Sequence, residues 1–129
     1  MKDFYLNLSS KSSVFKTNTA SEFTVALRPE VPLTGHWACS VVELLLPKAT
    51  SLKAKYLLAN FIASSVVGET RRPVLRVFFS GNQHIEFCKE YIQVTDQLLD
   101  TLVFELVDEK GNHLALSGET HLRLHFTQW

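Results

Sequence analysis

The sequence predicts an all-β fold, an antiparallel β-sandwich of the single jelly-roll kind with about eight strands. Three observations carry that expectation. Apolar and polar residues alternate with period two along the best-defined segments. All five glycines, at positions 35, 68, 81, 111 and 118, fall between those segments, where turn geometry explains them. The connections are mostly short, which joins antiparallel neighbours without crossover helices.

The alternation is cleanest in the stretch 100–129. Thr101–Val107 places Leu102, Phe104 and Leu106 on one face and Val103, Glu105 and Val107 on the other. Asp108–Asn112 supplies a turn in which Gly111 and Asn112 can both take positive φ, and Ser117-Gly118 a second turn. Thr120–Gln128 then sets Leu122, Leu124 and Phe126 against His121, Arg123, His125 and Thr127. The two limbs read as a closing hairpin. The histidines should be replaceable at little cost, and Phe104 and Leu124 should not.

Earlier in the chain, Asp3–Leu8 alternates as a first strand, and the small polar residues between Ser9 and Ser21 form a surface arm. Phe23–Leu27 is a second strand, which Pro29 and Pro32 should stop. Trp37–Leu46 is an apolar run of strand length closed by Pro47, as expected for a strand covered on both faces. Lys55–Ala63 fits strand or helix, with strand favoured. Glu69–Arg72 is a turn between Gly68 and Pro73, and Val74–Phe79 is a strand with Leu75, Val77 and Phe79 on its apolar face. His84–Cys88 and Tyr91–Val94 make one bent strand or two short ones, and Asp96–Asp100 suits a single helical turn.

At 129 residues the chain is expected to be one jelly-roll-like domain, 1–129, able to bury a core without disulfides or metal. Nine Phe against one Met imply rigid, well-specified packing. Thirteen basic and thirteen acidic residues cancel, which argues against a dedicated nucleic-acid binder. No apolar run approaches the about 20 residues that span a bilayer, and the opening residues do not resemble a signal peptide. The expected setting is intracellular, with no membrane partner. Cys39 and Cys88 are then buried free thiols.

Catalytic constellations are missing. There is no Gly-x-Ser-x-Gly elbow, no His-Glu-x-x-His and no phosphate-cradling loop, so no enzyme, cofactor or small-molecule substrate is expected. His121 and His125, four apart on a strand, lie roughly 13 Å apart, too far to share an ion bound at about 2 Å. A metal site would need His113 or His84 beside one of them, and none is expected. The row His121, Arg123, His125 is instead a face for solvent or a partner. Arg71 and Arg72, with Arg76 nearby, form the one basic cluster and suit an ion pair with Glu69 or a neighbouring subunit. Trp129, beyond the alternating strand, is a candidate interface anchor.

Two blocks carry a family resemblance. Asp3-Phe-Tyr-Leu-Asn-Leu-Ser-Ser10, Leu33-Thr-Gly-His-Trp37 and Val42-Glu-Leu-Leu-Leu-Pro47 resemble the start of proteins of Polinton (Maverick) elements and adintoviruses. Val66–Thr70, Pro73–Val77, Tyr91, Leu99–Leu102, Asp108–Gly111 and Leu122-Arg-Leu-His-Phe126 are similar to the ending of the same proteins. The resemblance implies a jelly-roll virion protein, a minor capsid or penton-like subunit assembled inside the host cell, nucleus or cytoplasm. Its implied partners are copies of itself, in a ring that would be a pentamer, and a larger major capsid protein. Family members carry a substantial segment between the positions matching Pro47 and Lys55, where this chain has a short link. A capsid cement protein, a domesticated copy and a monomeric β-sandwich binding module are the alternatives.

Overall fold

The computed structural model describes residues 3–11, 15, 17–67 and 69–129. Among them there is no helix, and eleven strands follow one another: β1 (Asp3–Ser9), β2 (Glu22–Pro32), β3 (Trp37–Leu45), β4 (Lys55–Ala59), β5 (Ser65–Val67), β6 (Thr70–Arg72), β7 (Val74–Phe78), β8 (His84–Glu86), β9 (Ile92–Gln93), β10 (Leu98–Asp108) and β11 (His121–Gln128). One sheet has the order β1-β11-β3-β8, with β9 also on β3, and a second has the order β2-β10-β4-β7. β5 and β6 form a separate ribbon. Every pairing is antiparallel.

The two sheets share one core, which makes the fold β-sandwich-like. Leu8, Cys39, Val41, Leu44, Leu122, Leu124 and Phe126 from the first sheet and Phe23, Val25, Leu57, Leu102, Phe104 and Leu106 from the second are buried in it. Period-two alternation is what allows this, since each strand turns one set of side chains inward. Phe61, in the turn after β4, lies 5.9 Å from Phe104 and 5.6 Å from Phe126 and so touches both sheets. A smaller cluster, Leu58, Val74 and Val107 with Tyr56, occupies the other side of the second sheet.

Several expectations need correction. β10 and β11 are not a hairpin: each is flanked by other strands, in different sheets. β2 runs on through Pro29 to Pro32 because it is an edge strand, where a missing N–H breaks no ladder. The helical turn at Asp96–Asp100 is absent, because Leu99 is buried and pairs with Val31 as β10 begins. Thr70–Arg72 pairs with Ser65–Val67 instead of turning, and the expected turn residue Gly68 lies outside the described residues, as do residues 12–14 and 16 of the arm, whose ends at Ser9, Ser10, Ala20 and Ser21 are buried instead of on the surface. On β7, a register shift between Leu57 and Leu58 skips Leu75. That bulge changes the alternation, so Leu75 and Phe78 point into the core while Val77 and Phe79 are exposed.

Turn chemistry is closer to expectation. Gly111 and Gly118 both have positive φ, 85° and 119°, whereas no non-glycine residue described, Asn112 included, does. Both thiols are free, but only Cys39 is buried and Cys88 is exposed. Burial pushes the Cys39 thiol far up. Lys55 opens β4 as a buried cation. Its Nζ donates to the carbonyls of Ser51, Lys53 (3.0 Å) and Ser80 (3.2 Å), pinning the 47–54 link, and desolvation lowers its pKa.

Two outcomes follow from this packing. Phe104→Ala should destabilise the fold by about 3 to 5 kcal/mol and Leu124→Ala by about 2 to 5 kcal/mol, read as a lower urea midpoint at unchanged slope. Under native conditions iodoacetamide should label Cys88 alone, and Cys39 should react only after unfolding, with mass spectrometry as the readout.

Candidate functional site: the outer face of the five-stranded sheet

Register builds this face. Tyr5, His125 and Ser40 are opposed across β1, β11 and β3, as are Asn7, Arg123 and Glu43, and Ser9, His121 and Leu45. β8 continues the rows, with Glu86 opposite Glu43 and His84 opposite Leu45. Asn7, Ser9, Glu43, Leu45, His121 and Arg123 line an open depression of about 400 Å³ on this face.

The three strand residues expected to face solvent or a partner have different surroundings. His121 is exposed, 3.5 Å from a carboxylate oxygen of Glu119. Arg123 is exposed too, and its guanidinium lies 4.4 Å over the Tyr5 ring, a cation–π contact that fixes its direction. His125 departs from expectation by being buried, at 7% exposure. Its ring stacks on Tyr5 at 4.5 Å, Nε2 meets Asp3 Oδ2 at 3.0 Å and Nδ1 meets the Tyr91 hydroxyl at 2.6 Å. A carboxylate only accepts, so Nε2–H donates to Asp3, and in that tautomer Nδ1 accepts from Tyr91. Sequence alternation correctly assigned the outward direction of His125. It could not show that side chains from β1 and from the segment before β9 close over it.

The remaining candidates lie elsewhere. Arg71 is exposed on β6 opposite Val66. Arg72 is half-buried and pairs at 3.9 Å with Glu105, not Glu69. Arg76 belongs to neither: it donates to the Cys88 carbonyl at 3.0 Å, lies 3.5 Å from Glu90 and sits over Phe87 at 4.9 Å. Trp129 has 68% exposure, its backbone N–H donating to His36 O at 3.1 Å. Thus the six residues occupy three places: one sheet's outer face, the β6 ribbon, and the chain just past β11.

His84 and His113, not singled out as site residues by sequence, each meet two glutamates. Glu43, His84 and Glu86 form one group and Glu22, Glu105 and His113 another, the ligand-type atoms within each lying within 4.8 Å of one another. A direct signal was lacking, because the glutamates come together only through strand register.

His125→Ala should cost about 1 to 3 kcal/mol, since it strands the Tyr91 hydroxyl and uncovers the Tyr5 ring, whereas His121→Ala should stay within about 0.5 kcal/mol. Chemical denaturation of the two variants side by side checks the contrast. No family model and no curated protein matches this sequence.

Proposed function

We propose that the fold is a single jelly roll and that the protein is a structural virion subunit, minor capsid or penton-like, working through protein–protein contacts. The observation that supports the topology is a nested set of antiparallel pairs: β4 with β7, β3 with β8, β2 with β10 and β1 with β11. A long hairpin ribbon with those pairings, wrapped so that successive strand pairs alternate between two sheets, is the jelly-roll layout common among capsid proteins. Counting β8 and β9 as one limb and setting the β5–β6 ribbon aside leaves the expected eight strands. The resemblance to Polinton and adintovirus virion proteins supplies the role.

Packing agrees with a scaffold whose working surface is external. Phenylalanines 23, 61, 104 and 126 fill the space between the sheets. Large apolar side chains stand outside it, with Trp129 at 68%, Phe79 at 62% and Leu52 at 78% exposure, and such groups anchor contacts that bury about 800 Å² per partner. On this reading the partners are further copies in a closed ring, a pentamer at a capsid vertex, and a larger major capsid protein, with assembly inside the host cell and residence in the virion. The depression beside His121 and Arg123 favours a second reading, a sandwich module that binds a ligand or host protein on that face.

Sedimentation across a concentration series tests the proposal. The 14.6 kDa chain should form a discrete ring-sized species, alone or with a larger capsid protein, and Trp129→Ser should weaken that association at least tenfold. A chain that stays monomeric at high concentration and binds no capsid protein would overturn it in favour of the binding module.

A further inference from the structure

On the outer face of the second sheet, Glu22 of β2 and Glu105 of β10 are directly opposed in register. Like charges in that position repel and destabilise a strand pair, so the arrangement calls for a cation. Two groups converge on it. Arg72 reaches Glu105 Oε2 at 3.9 Å, leaving Oε1 to the other side. His113, held by its bridge to Val107, places Nε2 at 2.9 Å from Glu105 Oε1 and 3.4 Å from Glu22 Oε2.

We propose that Glu22, Glu105 and His113 bind a zinc-type divalent cation that staples the 108–120 connection to the β2–β10 pair. One imidazole nitrogen and two carboxylate oxygens are a zinc-compatible donor set, with water completing a tetrahedron. Bonds of about 2.0 to 2.1 Å set tetrahedral ligand-to-ligand edges of about 3.4 Å. The observed 2.9 and 3.4 Å from His113 lie near that edge, and the two carboxylate oxygens are within 4.8 Å of each other. Arg72 serves as the outer partner that orients a ligating carboxylate. The group at Glu43, His84 and Glu86 also rests on an opposed glutamate pair, but its separations are uneven. His84 Nε2 is 2.5 Å from Glu43 and 4.0 Å from Glu86, so the histidine is committed to one carboxylate. The inference does not depend on the assembly reading.

Isothermal titration of the whole chain with zinc chloride at pH 7.5 tests the site, with magnesium chloride as the hard-cation control. The expected result is one zinc equivalent, much weaker magnesium binding, and a zinc-induced rise in melting temperature. His113→Ala and the near-isosteric Glu22→Gln should each weaken zinc at least tenfold and abolish that rise, while His84→Ala keeps both. Circular dichroism of the zinc-free variants separates loss of a ligand from loss of fold. The absence of saturable zinc binding to the unaltered chain would overturn the site. So would binding that survives His113→Ala and Glu22→Gln in folded protein, or that disappears with His84→Ala alone.

Discussion

A continuous run of aromatic rings holds the two sheets together. Phe23 packs on Phe104 at 5.3 Å, Phe104 on Phe61, Phe61 on Phe126, and Phe126 stacks on Phe4 at 4.9 Å, which meets Trp37 at 5.4 Å. The run starts on the edge strand of one sheet and ends on β3 of the other. Each large ring carries apolar area worth several kcal/mol on burial, and tilted or offset contacts add to that. Phe61 is the link between sheets although it belongs to neither, which explains why the turn after β4 is buried. The Thr95 N–H donates to the Phe61 carbonyl at 2.9 Å, and Ile62 bridges to Val94, so the backbone of this turn is also satisfied.

Apart from buried groups such as Lys55 and Thr120, which bond to backbone carbonyls, the polar clusters lie on the outer faces, where cross-strand register decides which groups meet. Tyr5, His125, Asp3 and Tyr91 form a closed set on one sheet. Glu22, Glu105, His113 and Arg72 form another on the second sheet, and Glu43 with His84 a third beside β8. Most of these side chains satisfy one another, so they stiffen the faces. Trp129, Phe79 and Leu52, by contrast, are large apolar side chains left exposed on loops or just past strand ends. Loops on a rigid sandwich are a common place for recognition, because the scaffold beneath them does not move when they engage.

Much of the fold was legible in the sequence because a strand imposes a strict period of two. Leu102, Phe104 and Leu106, and likewise Leu122, Leu124 and Phe126, were assigned inward by alternation and are at most 3% exposed. Gly111 and Gly118 were recognisable as turn positions because a glycine adopts positive φ without a Cβ clash. These are properties of a few consecutive residues, and so they survive without knowledge of the rest of the chain.

Everything that required knowing a strand's neighbour was decided by tertiary structure. Adjacency in sequence made β10 and β11 read as a hairpin, yet each lies inside a different sheet, between two other strands. Edge position lets β2 pass through Pro29, and a bulge against β4 exchanges Val77 for Phe78 at the core. The burial of His125, the exposure of Cys88 and the meeting of Glu22 with Glu105 and His113 have the same origin. The sequence by itself determined the central strand segments and the inward faces of the regularly alternating ones, such as Leu102, Phe104 and Leu106, because those depend on local backbone geometry. Which strands lie side by side, and hence which polar groups meet, depends on how the whole chain closes over one aromatic core.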